Sequence, residues 1–181
     1  LICLVGKICS GKNTLQKQLI KMGMNSVVSY TTRPPRTGEE QDIAYHFITK
    51  EDFFKKEQQG FFAETTSYNV ATGDVWYYGS AAEDLTDDKV IIVNPEGLKK
   101  LKKIDSLNPI AFYLMADEET IWNRLRKRGD NSCEARRRLN ADDEDFVGID
   151  KYIDYAIRND YGTSSEVLAE IILNIYRKVK R

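Results

Sequence analysis

The chain has 181 residues, 41% hydrophobic and 30% charged, the size and make-up of one globular domain that can bury a core without disulfides or metal. Lys and Arg number 27 against 28 Asp and Glu, a net charge of -1, so there is no global positive field to hold nucleic acid or an anionic membrane. The longest apolar run, residues 110–116, is far short of the roughly 20 residues that span a bilayer. Cys3, Cys9 and Cys133 have no metal-ligand spacing, and an odd count of thiols suits a reducing cytoplasm.

In chain order, the opening LICLVG reads as a buried strand rather than a signal peptide, having neither basic flank nor cleavage site. Apolar runs return at residues 90–93, 110–115 and 155–157 between helix-like stretches, the alternation of an α/β domain whose parallel sheet is flanked by helices. After the first strand comes GKICSGKNT, with Gly6, Gly11 and Lys12 spaced as G-x-x-x-x-G-K. Such a loop converges backbone N–H groups on phosphate oxygens at the positive end of the next helix, and Lys12 reaches the terminal phosphates. Lys7, Ile8, Cys9, Ser10 and Asn13 complete the loop, and a helix from Thr14 to Met22 follows it and stops at Gly23. Position 13 departs from the full pattern, which places Ser or Thr there to touch magnesium.

Residues 29–83 interrupt the alternation with a segment rich in Thr, Arg, Tyr and Gly. Arg33 and Arg36 flank a stiff Pro-Pro pair, so two guanidinium groups can be offered to one phosphate, with the Tyr45 and Tyr78 hydroxyls as further donors. Thr49 starts a helix ending at Gly60, and the stretch from Glu64 to Tyr78 reads as a long hairpin turning at Gly73-Asp74. His46, between Tyr45 and Phe47 on the opposite face of a short strand, reads as structural or exposed rather than catalytic. Asp117 starts a helix that stops at Gly129, and residues 124–142 are arginine-rich and poor in apolar side chains. The last helix pairs Thr163 with Glu166 at capping-box spacing and lines up Val167, Leu168, Ile171, Ile172 and Ile175 as its apolar face; residues 177–181 end it on basic charge.

With its phosphate loop, SYTTRPPRTGEE, Tyr45-His46-Phe47, Glu64 and YYGS in that order, the chain resembles the guanylate kinase family over nearly its whole length. The resemblance implies a single domain over residues 1–181, with an acceptor-binding region at about 29–83 and an arginine lid at about 124–142. It implies a nucleoside monophosphate kinase that moves the terminal phosphoryl of magnesium-bound ATP onto GMP or dGMP. Ser29, Arg33, Arg36, Glu39, Tyr45, Glu64, Tyr78 and Ser80 would bind the acceptor, and Asn94 stands where the family has an aspartate beside the base. One carboxylate, Glu64, matches the adjacent N1–H and N2–H donors of guanine, whereas adenine presents an acceptor at N1. Arg124, Arg128 and Arg138 fall on the lid arginines, leaving Arg126, Lys127, Arg136 and Arg137 as a solvated face, while Asn159 and Asp160 fall beside the donor adenine. Lys12, Arg36, Arg128 and Arg138 would carry the catalysis, with no protein metal ligand. Asn94 and the long hairpin leave room for another nucleoside monophosphate or a ribose bisphosphate as acceptor. A non-catalytic binding module of the same family is the alternative from a different class.

Overall fold

A computed structural model describes residues 1–70, 73–160 and 162–180. Ala71 and Thr72 of the expected hairpin turn and Arg181 of the basic end lie outside them. The elements run β1 Ile2–Val5, α1 Lys12–Lys21, β2 Asn25–Ser26, β3 Tyr30–Thr31, β4 His46–Phe47, α2 Lys50–Gln58, β5 Phe62–Asn69 and β6 Val75–Ala81. They continue through β7 Lys89–Ile92, α3 Pro95–Leu101, β8 Ile110–Met115, α4 Glu118–Arg128, α5 Ser132–Asp145, β9 Tyr155–Arg158 and α6 Ser165–Val179.

Five strands form an all-parallel sheet in the order β2-β7-β1-β8-β9, with β1 between β7 and β8. Period-two alternation along β1 sends Ile2 and Leu4 to one face, with Leu15 and Leu19 of α1 and Leu168, Ile172 and Tyr176 of α6. Leu1, Cys3 and Val5 go to the other face, against Leu98 and Leu101 of α3. Because both faces are covered, the strands read as unbroken apolar runs. Loops at the carboxyl ends of such strands open onto the crevice where ligands bind in sheets of this kind.

Residues 29–83 build a second sheet, β4-β3-β6-β5. Its long antiparallel pair, β5 with β6, is the expected hairpin, closed by the Val70 N–H on the Asp74 carbonyl at 2.9 Å. Thr49 caps α2 through its side chain, as expected. The arginine-rich stretch is two helices broken at Gly129, whose φ is 76°, and they share a small core of Ile121, Leu125, Ala135 and Leu139. Each has its own cap: Asp117 accepts from Thr120 N and Asn131 accepts from Cys133 N and Glu134 N.

Two expectations for the last helix are corrected. Its cap is Ser164, whose hydroxyl accepts from Val167 N, rather than Thr163. Val167 and Ile171 remain 51% and 42% exposed, while Leu168, Ala169, Ile172, Leu173 and Tyr176 are buried. The apolar arc is wider than the sheet it covers, and packing on α1 selects which part is buried. Among the described residues, no helix is long and apolar enough to cross a membrane.

Candidate active site

The loop from Gly6 to Lys12 links β1 to α1. Gly6 has no room for a side chain: a Cβ there would lie 2.5 Å from Ser10 Oγ and 2.7 Å from the Leu114 carbonyl. Gly11 adopts φ +99°, and a Cβ on it would lie 2.1 Å from Asn159 Nδ2. Gly11→Ala is therefore expected to destabilise the fold by at least the ~1–2 kcal/mol of a left-handed non-glycine residue. At roughly 2–4 °C per kcal/mol for a chain of this size, thermal melting should fall by about 2–8 °C. An unchanged melting temperature would mean that the loop relaxes at no cost.

Behind the loop, Asn159 Nδ2 donates to the Ser10 carbonyl at 2.8 Å. Arg124 donates to the Cys9 carbonyl at 3.0 Å and to the Asn159 carbonyl at 2.8 Å. These two side chains, expected at the donor nucleotide, are committed to loop backbone and hold its shape. Asp160 accepts from Asp117 N at 2.9 Å and from Arg158 at 2.7 Å, which ties β9 to the start of α4. Inside the loop, Lys12 Nζ donates to the Gly6 carbonyl at 2.5 Å and the Lys7 carbonyl at 2.9 Å. Desolvation in that cradle lowers the Lys12 ammonium to about 8. Ser10 Oγ is buried and finds no hydrogen-bond partner among the described residues. Asn13 and Thr14 are exposed on the first turn of α1.

Across the cleft, the acceptor region presents a chain of polar contacts from Ser29 Oγ to Ser80 Oγ at 3.2 Å, and from Ser80 Oγ to Glu64 Oε1 at 2.7 Å. Glu64 is only 7% exposed, and burial pushes its carboxyl upward, against the Ser80 hydrogen bond. Asn94 caps α3, its Oδ1 accepting from Gly97 N at 2.8 Å, and still faces the cleft. The cap role is one that its place after an apolar strand and before Pro95 signals.

Arg33, expected to share one phosphate with Arg36, is an enclosed side chain. It is 3% exposed, bonded to the Pro34 carbonyl at 2.8 Å and to Glu39 at 3.0 Å, and sits over the rings of Tyr45 and Phe47. Glu39 also accepts from Arg36 N at 2.8 Å, so the buried pair shapes the turn that carries Arg36. Arg36 itself is exposed and makes no ion pair among the described residues. His46 is structural, as expected, with Nδ1 2.6 Å from Asp42 and its ring 4.4 Å from that of Tyr30.

One cleft of about 880 Å³ brings together Gly6, Ile8 and Lys12 of the loop, Ser29, Arg36, Tyr45, Glu64, Tyr78 and Asn94 of the acceptor side, and Arg138 of α5. A smaller recess of about 360 Å³ is lined by Arg36, Arg128 and Arg138. Arg33, Ser80 and Asn159 are buried beside these walls, and Glu39 and Arg124 are partly buried. Arg137, expected on the solvated face, also lines the larger cleft, because α5 turns two consecutive arginines toward it. Arg136 instead covers the Trp122 ring at 4.6 Å.

Two further residues complete the site. Tyr68 stands edge-on to Tyr78 at 5.6 Å on the cleft wall, and desolvation raises its phenol. Its signal was its place two residues beyond Thr66 and four beyond Glu64 on β5, the same face of a period-two strand. Asp142 Oδ2 accepts from Ile8 N at 2.5 Å. Its signal was the four-residue step from Arg138 on one helix face.

Residues 1–173 match the family model described as guanylate kinase. A guanylate kinase of Syntrophus aciditrophicus (strain SB) is 35% identical over 84% of this chain and 72% of its own. That of Onion yellows phytoplasma (strain OY-M) is 30% identical over 100% of this chain and 88% of its own. The fold is shared with the crystal structure of guanylate kinase from Anaplasma phagocytophilum, at a TM-score of 0.70 and 24% identity, covering 98% of this chain and 84% of that one. A phosphate loop facing a buried carboxylate across one cleft thus occurs in a chain that is similar to these enzymes end to end, and it belongs to the guanylate kinase family.

Proposed function

We propose that the protein transfers the terminal phosphoryl group of ATP to GMP or dGMP. The observation that carries this reading is the single cleft in which Lys12, Arg36 and Arg138 share a wall system with Glu64. A phosphate oxygen of the acceptor forms the new P–O bond as the bond from the γ-phosphorus to the bridging oxygen of ADP breaks. The acceptor phosphate is already an anion, so no general base is needed. Positive groups around the migrating phosphoryl supply the stabilisation: Lys12 from the loop, Arg36 from the acceptor side, and Arg128 and Arg138 from the lid.

Among the described residues, no group of three or more His, Cys, Asp or Glu is placed to hold a metal ion. Exposed side-chain oxygens of Asn13 and Thr14 suit magnesium, which favours oxygen ligands, retains waters and is held largely by nucleotide phosphates. Bound there, magnesium would screen charge on the donor phosphates. The free thiols Cys3, Cys9 and Cys133 fit a cytoplasmic location.

A coupled assay of ADP release across a panel of nucleoside monophosphates tests the reading. GMP-dependent ADP formation with ATP and magnesium is expected. GMP binding without turnover across a range of magnesium concentrations would instead identify a binding module. Lys12 and the lid's Arg138 on the same cleft favour catalysis, since a pure acceptor binder needs neither.

A further inference from the structure

On α5, Arg138 and Asp142 lie one turn apart on the face toward the cleft. Asp142 Oδ2 takes the backbone N–H of Ile8 at 2.5 Å, and the adjacent Asp143 pairs with Lys7. Carboxylates therefore hold two of the groups that a phosphate loop offers to phosphate. The lid's cations are also engaged by the lid's own acids: Arg128 bonds Asp130 at 2.6 Å, and Arg137 and Arg138 each bond Glu134 at 2.8 Å. An apolar seat supports the contact, because Ile8 and Cys9 pack against the core shared by α4 and α5.

We propose that Asp142 is an internal occupant of the phosphate loop, an anion that docks α5 on the loop in the absence of nucleotide and that the donor's phosphates expel. This inference rests on reading the loop as the donor site. The Ile8 N–H carries one proton and cannot bond fully to both a carboxylate and a phosphate oxygen. Two anions on that amide also repel each other in a half-buried setting. Burial already raises the Asp142 carboxyl, so its charge is poorly solvated where it sits. The arginine pairs within the lid are exposed and easily exchanged. Incoming phosphates therefore displace Asp142 and draw Arg138, one turn away, from Glu134. Each nucleotide-binding event competes with an occupant, and the apparent affinity falls by the fraction of molecules in which the loop is filled.

Calorimetric titration of ATP, and separately of inorganic tripolyphosphate, into the wild type, Asp142→Ala and Asp142→Asn tests this. Asp142→Ala is expected to bind both about tenfold more tightly, the size of one charge-assisted hydrogen bond relieved, with GMP binding unmoved. Asp142→Asn should tighten binding less, because its amide oxygen still accepts from Ile8 without the charge. This variant preserves the shape of the side chain and serves as the measure if the alanine variant melts early. Unchanged or weaker ATP binding in folded variants would overturn the proposal while leaving the donor site intact. A wild type that binds GMP but neither ATP nor tripolyphosphate would overturn the donor-site reading, and the proposal with it.

Discussion

Lys12→Ala is expected to lower kcat by about 10²–10³-fold while leaving GMP affinity in place. Removing one preorganised donor aimed at developing charge costs ~2.7–4 kcal/mol of transition-state stabilisation. This ammonium donates to two loop carbonyls and is lowered to about 8 by desolvation. Phosphates entering the loop favour its charged form. ATP binding between about pH 8 and 9 should therefore take up a proton, seen as a dependence of binding enthalpy on the buffer's ionisation enthalpy. The same lowering means that the buried charge costs stability below pH 8. That cost is relieved as pH rises from about 8 toward 10.5, where the unfolded chain holds the extra proton. Equal loss of ATP turnover and GMP binding in a folded Lys12→Ala protein would contradict the division into donor and acceptor sides.

Glu64→Ala should weaken GMP use by roughly 10- to 150-fold, the worth of ~1.5–3 kcal/mol for hydrogen bonds to a charged group, and relax discrimination against AMP. The carboxylate already accepts from Ser80, and its other oxygen faces Gly97, where a Cβ would lie 2.9 Å from it. Burial raises its pKa, so in the free protein the ionised form is less favoured than in an exposed carboxyl. Guanine's two donors favour the ionised form, so GMP binding near that raised pKa should release a proton. Without ligand the sign for stability is the same in origin: the desolvated charge is a cost that grows as pH rises through the unfolded and then the folded pKa. Arg36→Ala provides the contrast, since an exposed guanidinium facing phosphate carries no base information and its loss should weaken GMP and AMP alike. If Glu64→Ala leaves the ratio of GMP to AMP activity unchanged, the base is read by other groups of the cleft, with Asn94 and the β5–β6 hairpin the next to test.

The phosphate loop was legible because its chemistry is local. Gly6, Gly11 and Lys12 are placed by a short turn between a strand and a helix, and their spacing sets which backbone groups converge. The central strands were legible because burial on both faces leaves runs of apolar residues. The β5–β6 hairpin was legible because Gly73-Asp74 supplies turn chemistry between strand-like stretches. For Arg33 the residue type was informative but its direction was not. An arginine beside two prolines reads as a phosphate ligand paired with Arg36, yet Glu39, Tyr45 and Phe47 enclose it, and those partners come together only when β3, β4 and β6 pair.

By itself, the sequence determined the α/β class, the phosphate loop, the carboxylate opposite it and the family resemblance, since each depends on spacing along the covalent chain or on periodicity within one element. Only the tertiary structure decided which arginines face the cleft, that Arg124 and Asn159 hold the loop from behind, that Ser164 rather than Thr163 caps the last helix, and that Asp142 rests on Ile8. Those outcomes depend on the rotation of each helix about its axis and on the distance between α5 and the loop. Both are set by how side chains far apart in the chain fill a common volume, and no local spacing records that.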